Sequence, residues 1–297
     1  MQLRMGLGTY GSLSARGRLL AQEFRFRCDG WEIEVVPIQT NGERLCAEAP
    51  GELPAGPDDL FTREIDEALL AGRIDFAMHR AEDVPACIPE GLAIGAFVKR
   101  EDPREVFVHR DGGVWAGFGS GRLAVSSLRR KFQVAKARPG VTAVPLAGEL
   151  SVRLSRMGEG LCDALVASSP DLASVARPGR PAEFLPLEDV VPAPGQGALA
   201  LAARLDNQEV RRILRAVDDP LCRLEVEFER ALLKALGPGS AAVLGALARS
   251  SEDGVSMTVF HCLPDGSKGL RLRRFCKDSE NRDAFIAEIA DQVRRSS

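Results

Sequence analysis

The residues best suited to chemistry in this chain stand together in GRIDFAMHRAEDVP, residues 72 to 85, where His79, Arg80, Glu82 and Asp83 follow a short apolar run. A carboxylate in such company can pass a proton or face a developing positive charge. Ligands of open α/β sheets bind beyond the carboxyl ends of the strands, and these four side chains fall just past the predicted strand Ile74 to Met78. Asp followed by Val and Pro is also an ordinary way to start a turn, the Asp capping nearby amides. Spacing alone leaves Asp83 either role.

A second constellation is SSLRRKFQVAKAR, residues 126 to 138. Ser126 and Ser127 sit at a strand-to-helix turn, where first-turn amides are unpaired and the helix dipole favours an anion. Arg129 and Arg130 occupy that first turn, where cations disfavour the helix, so their presence suggests a bound anion held by guanidinium groups. The alternative is a solvated basic face continuing through Lys131, Lys136 and Arg138. GELSVRLSRM, residues 148 to 157, repeats the arrangement, with Gly148 permitting a tight turn and Arg153 early in the next helix. Two arginine-bearing helix starts opposed to one carboxylate across a cleft suit a polyanion. Gln196, in PGQG, is either an exposed residue of a hinge turn or a further cleft residue.

These side chains need elements to aim them. Leu3 to Gly8 reads as a strand, Ser12 to Phe26 as a helix, Ile33 to Gln39 as a strand, Leu60 to Ala71 as a helix, and Leu92 to Val98 as a strand after Ile74 to Met78. Such alternation argues for parallel sheets flanked by helices. KREDPREVFV, residues 99 to 108, breaks the apolar pattern with charge and Pro103 and suggests a crossing between domains. A second set follows: strands Leu123 to Val125, Val141 to Leu146 and Ala164 to Ala167, with helices Ser127 to Ala137 and Glu149 to Met157. VVPAPGQGALALAAR, residues 190 to 204, reads as the return crossing. Beyond Asp219 a helix, Leu221 to Leu236, precedes strands Val243 to Arg249, Ser256 to Phe260 and Leu270 to Arg274 and a closing helix from about Asp278 to Arg295.

With 297 residues the chain has room for two or three domains, and 45% hydrophobic with 27% charged residues is a globular composition. A net charge of -3 supplies no general basic field, so nucleic-acid binding is not expected. No apolar run approaches the roughly 20 residues of a membrane span, and MQLRMGLGTYG lacks a signal-peptide core, so a cytoplasmic protein is expected. The seven cysteines form no CxxC pair and no spacing typical of zinc, so no metal site is expected.

Seven motifs, in order, carry a resemblance to the porphobilinogen deaminase (hydroxymethylbilane synthase) family. GTYGSLSA is similar to the family's GTRxSxLA, LFTREIDEALL to LFxKELExALL, and DFAMHRAEDVP to DxAVHSxKDxP. KREDPREVFV resembles EREDPRDAxV, SSLRR resembles TSSLRR, PLAGELSVRL resembles xLRGNxxTRL, and PAPGQGALA resembles PAVGQGAxG. The resemblance implies an α/β fold with two type II periplasmic-binding-protein-like domains around a cleft and a small C-terminal α+β domain. We place these at 1–98 with 198–217, at 99–197 and at 218–297. It implies head-to-tail condensation of porphobilinogen with loss of ammonia, as in tetrapyrrole biosynthesis, on a thioether-linked dipyrromethane cofactor. Asp83 matches the family's catalytic aspartate; Arg129, Arg130 and Arg153 match arginines that hold acetate and propionate groups. Ser12, Ser126, Ser127 and Gln196 fall on the motifs as further substrate-binding candidates.

The departures bear on activity. LGPGSAAVLG stands where the family has LxGGCxxPxG, so Ser240 replaces the cofactor-bearing cysteine, and a hydroxyl is far less nucleophilic than a thiol at neutral pH. By sequence position none of the cysteines substitutes for it. Tyr10 replaces an Arg, Asp58 a Lys, Glu82 a Lys and Ala147 an Arg, a loss of six positive charges, and Glu149 replaces an Asn. Each like-charge contact at about 4 Å costs about 1 to 4 kcal/mol, so a growing polycarboxylate should bind poorly. Dipyrromethane is therefore doubtful as a cofactor here. Two readings stand: a monomeric deaminase-like transferase with impaired or altered activity, or a repurposed clamshell that takes a smaller, less anionic ligand without a covalent cofactor. The partner expected under either is a small molecule carrying carboxylates.

Overall fold

A computed structural model describes residues 2–28, 30–52, 56–175, 182–240, 243–277 and 281–296. The chain begins β1 (Gln2–Leu7), α1 (Gly11–Arg27), β2 (Glu32–Pro37), α2 (Asn41–Glu48), α3 (Arg63–Leu70), β3 (Phe76–Arg80) and β4 (Leu92–Val98). It continues with β5 (Glu105–His109), β6 (Gly121–Val125), α4 (Leu128–Ala137), β7 (Val141–Pro145), α5 (Leu150–Gly158), β8 (Ala164–Ser168), α6 (Ser169–Ser174) and β9 (Ala182–Phe184). The remainder is β10 (Leu199–Arg204), α7 (Gln208–Leu214), α8 (Pro220–Leu236), β11 (Gly245–Ser251), β12 (Gly254–His261), β13 (Leu270–Cys276) and α9 (Arg282–Ser296). The start proposed for the closing helix, Asp278, lies outside the described residues.

Two five-stranded sheets have orders β2-β1-β3-β10-β4 and β7-β6-β8-β5-β9, and a three-stranded antiparallel sheet has order β11-β12-β13. In each larger sheet four strands run in one direction, and a strand arriving by a crossing is inserted antiparallel to them: β10 between β3 and β4, β5 between β8 and β9. The sheets are thus mixed, which corrects the expectation of parallel sheets. The reason is the double crossing, which returns the chain to its first sheet against the direction of the strands already there.

Hydrophobic periodicity explains the packing. α1 buries Leu13, Gly17, Leu20 and Phe24 on one stripe, against Met5, Leu7, Phe76 and Met78 of the first sheet. A fully buried Leu, Phe or Met side chain contributes about 1.5 to 3 kcal/mol. α8 starts sharply because Asp219 accepts a hydrogen bond from Cys222 N (2.7 Å) and Pro220 occupies the first turn, and it stops at Gly237 with φ +88°. Its apolar face, Phe228, Leu232 and Leu233, packs on the third sheet and α9.

The two crossings are laced together. Glu101 N donates to Gly197 O (3.0 Å), Arg100 Nε to Gln196 O (3.0 Å), and Gln196 Nε2 to Pro103 O (2.7 Å). Gly197 has φ +87°, and a Cβ there would stand 2.8 Å from Glu101 O, so glycine is required on both counts.

Candidate functional site

Asp83 closes a single turn, Ala81–Asp83, that leaves β3 directly. Three elements fix this turn. Ala81 N donates to Ala198 O (3.0 Å), Gly195 (φ +80°) lies so close that its Cβ would sit 2.8 Å from Ala81 C, and Arg230 of α8 donates to Val84 O and Pro85 O, each at 2.9 Å. Arg80 Nε donates to Asp83 Oδ2 (2.6 Å), and Arg80 Nη1 lies 4.0 Å from Asp171 Oδ1. Burial raises the Asp83 carboxyl above its ordinary range, with Arg80 opposing. Burial likewise pushes Glu82 up to about 7, Arg80 opposing and Asp83 and Asp171 adding to the rise. His79 does not join them: it is buried against α3, with Nε2 3.0 Å from Asp66 Oδ1. Of the four residues read as lying beyond the strand, three face the cleft.

On the basic side, Ser127 caps α4 by accepting from Arg130 N (3.2 Å). Arg129 donates to Glu105 Oε1 (2.8 Å), Val191 O (2.7 Å) and Gln196 Oε1 (3.2 Å). Arg130 grips both oxygens of Glu105, at 3.0 and 2.9 Å, and reaches Ser126 Oγ (2.5 Å). The anion suggested by two arginines in a first helical turn is therefore, in the first instance, the chain's own Glu105, buried at the start of β5. Burial works to raise that carboxyl, but the two guanidiniums hold it well below the usual range. Two cations still share one carboxylate. Arg153, 4% exposed, donates to Ser126 Oγ (3.4 Å) and Val166 O (3.3 Å), leaves Nε without a partner, and forms no ion pair among the described residues. Burial, then the neighbouring Arg130, pulls it down to about 10.

These groups face one cavity of about 290 Å³, walled by the first two sheets' loops and helix starts and by Leu233 of α8. Asp83, Glu82, Tyr10, Ser12 and the exposed Asp58 line it from the first half. Ser126, Ser127, Arg129, Arg130, Ala147, Glu149 and Arg153 line it from the second, and Gln196 from the return crossing. Ser240 is not among the lining residues: it lies half-buried in the loop after α8, beside Ala241 and Ala242, which lie outside the described residues.

Four sequence readings gain detail from the geometry. Gln196 is 1% exposed and hydrogen-bonded on both ends of its amide, so it is no exposed hinge residue. Glu149 Oε1 accepts from Gly11 N (3.3 Å) at the start of α1, so its charge is turned to a helix terminus as well as to the cleft. Arg80 stands where the family motif has Ser, returning one of the six positive charges counted as lost. Cys46 lines the cavity although far from residue 240 in sequence, with burial pushing its thiol up and so blunting it as a nucleophile.

Sequence reasoning missed Glu105, Asp171 and the part played by Arg80. A signal existed for Glu105, an acidic residue opening an apolar strand in a motif where the family has Asp. Asp171 sits in the first turn of a six-residue helix and offers no comparable signal.

Residues 9–212 match the family model described as porphobilinogen deaminase, dipyromethane cofactor binding domain. The chain is 36% identical to the porphobilinogen deaminase of Syntrophobacter fumaroxidans over 82% of its length and 79% of that protein's. Against that of Rubrobacter xylanophilus it is 36% identical, covering 89% and 86%, and against that of Geobacter sulfurreducens 33%, covering 90% and 84%. Among solved structures, the reduced OxyR regulatory domain of Pseudomonas aeruginosa aligns at 14% identity and a TM-score of 0.44, covering 75% of this chain and 96% of that one, too weakly to bear on function.

Proposed function

The chain belongs to the porphobilinogen deaminase family, and from that premise we propose that it binds a carboxylate-bearing pyrrole between the lobes 1–98 with 198–217 and 99–197. It acts there as a transferase of the hydroxymethylbilane synthase type in tetrapyrrole biosynthesis. Arg153 carries this reading: a buried guanidinium with a free Nε and no carboxylate partner, facing a cavity, lacks an anion. A ligand carboxylate would supply it, flanked by Arg130 and the hydroxyls of Ser126 and Ser127. Arg129 and Gln196 hold the wall behind, and Ser12 borders the ligand at α1. Asp83, whose carboxyl burial raises above its ordinary range, gives a proton to the departing amine and then, ionised, faces the azafulvenium cation.

The family's dipyrromethane fits this chain only in part. The cationic wall suits its acidic side chains, but Ser240 offers a weak nucleophile outside the cavity lining. We read the ligand as held without a covalent link, by a cytoplasmic monomer with its third lobe at 218–297 and with no nucleic-acid or membrane partner. The charge reversal at Glu82 favours a second reading, a smaller and less anionic ligand in the same cleft.

The test begins with intact mass beside an Ehrlich reaction. The bare sequence mass without colour is expected, and a mass excess matching dipyrromethane overturns the noncovalent part. Calorimetric titration with porphobilinogen follows, with Arg153→Gln expected to weaken binding at least about tenfold. Absence of both binding and consumption of porphobilinogen by the wild type refutes the reading.

A further inference from the structure

Glu149 stands at the start of α5, yet its side chain makes no capping hydrogen bond there. It reaches instead to the first sheet's side of the cavity, where Oε1 accepts from Gly11 N (3.3 Å), the first amide of α1. α1 needs such an acceptor. Its N-cap, Tyr10, makes no side-chain capping bond, its first turn holds no acid, and Glu43 accepts from Tyr10 N (3.0 Å), which precedes the helix. The partial positive charge of this helix end is thus answered by a carboxylate from across the cavity. Gly11 leaves the room for it, since a Cβ there would stand 2.7 Å from Glu149 Oε1.

Two further contacts make the same crossing. Ala147 N donates to Pro50 O (2.9 Å), just beyond α2, and Arg80 Nη1 at the end of β3 lies 4.0 Å from Asp171 Oδ1 in α6. Arg80, Ala147 and Glu149 each stand where the family motifs carry another residue, so these joints belong to this chain's own substitutions. The 147–149 loop also packs on Cys46, which lines the cavity and is 5% exposed: a Cβ on Gly148 would lie 3.6 Å from Cys46 O.

We propose that Glu149 is a latch: by capping α1 from the facing side it holds the two sides of the cavity together, and the cavity opens when this carboxylate lets go. The inference does not depend on which ligand enters. One cap of this kind shifts a closed-to-open equilibrium about fivefold.

The experiment treats the full chain with N-ethylmaleimide under native conditions and follows each cysteine by peptide mass. Cys46 should react slowly in wild type, through openings of the cavity. Glu149→Ala should speed it about fivefold, and Glu149→Gln by less. Gly11→Ala should match Glu149→Ala, because the methyl evicts the carboxylate although alanine favours the helix itself, and combining the two should add nothing further. Cys162, fully buried in the second sheet's core, is the internal control and should keep its wild-type rate. An unchanged Cys46 rate in both single variants overturns the proposal. So does equal acceleration of Cys46 and Cys162, which marks general loosening, or a wild-type Cys46 that reacts as fast as the exposed Cys87.

Discussion

Asp83 and Glu82 are neighbours whose carboxyls burial raises alike, with Arg80 opposing the rise at both. Asp83 takes the Arg80 hydrogen bond, so its charged form has a direct donor that Glu82 lacks among the described residues. Asp83→Ala should lower turnover of porphobilinogen by at least about a hundredfold, the scale of a lost general acid. Arg80 keeps Asp171 nearby, so the cost to stability should stay within about 1 to 3 kcal/mol. Retained turnover removes Asp83 from the chemistry. For Glu82 the sign runs the other way from most carboxylates. Its pKa is raised on folding, from 4.5 to about 7, so the folded state holds a proton that the unfolded chain releases. Stability contributed at Glu82 therefore falls as pH rises across that window. Arg80, Asp83, Asp171 and Arg130 all act on it, and Glu105 and Asp171, with lowered values, lose stability toward acid instead. Subtracting the unfolding profile of Glu82→Gln from that of wild type isolates the group: the difference should move against wild type between pH 4.5 and about 7. A flat difference means that Glu82 ionises freely. Ser240→Cys alone should not bring activity to family-like rates, because Glu82 still opposes the carboxylates of a growing chain; full recovery in a turnover assay would show that charge argument to be wrong.

At the scale of elements, the site depends on two backbone crossings pressed together at the PGQG loop. Gly197→Ala would force an unfavourable φ and drive a methyl against Glu101 O, at 2.8 Å. The strain alone costs about 1 to 2 kcal/mol, and the clash adds to it. Turnover should fall with stability, since Gln196 and the Asp83 turn rest on the same loop; a variant with wild-type urea midpoint and rate would show the crossings to be loosely coupled. Long periodic elements were legible in the sequence: Leu92–Val98 has the predicted bounds, and α1, α4, α5 and α8 fall within about a turn of them. Short ones were not. α6, α7 and β9 are too brief for periodicity to register, and the eight-residue α2 is signalled only by the Thr40–Glu43 capping box that QTNGERL displays. The arginines at helix starts were legible for the same reason as the helices, from local spacing. Their pairing with Glu105 was not, although Glu105 itself stands out at the head of its strand, because only the second sheet's topology brings residue 105 against residues 129 and 130.

For the molecule as a whole, the cleft can act as one site only if three sheets hold a common frame, and Glu229 is the point where they meet. Its carboxylate, fully buried in α8, accepts from Arg100 at 2.7 and 3.0 Å on the outgoing crossing, from Gly195 N at 2.6 Å on the return crossing, and from Ala248 N at 2.8 Å in β11. Four donors around one carboxylate repay the cost of burying it only while all are present, and its removal leaves buried Arg100 with Glu225, at 3.4 Å, as its one remaining carboxylate among the described residues. Glu229→Ala should therefore cost about 3 to 5 kcal/mol in urea unfolding. Because Arg230, on the same helix, also holds Val84 O and Pro85 O, loosening α8 frees the turn that aims Asp83. The loss should thus appear in ligand affinity as well as in stability, whereas a mere cavity in the third lobe's core would lower stability alone. Glu229→Gln separates the two, since it keeps the shape and two of the acceptor contacts while removing the charge: intermediate stability with weakened binding fits a shared frame, and unchanged binding in a destabilised variant refutes it.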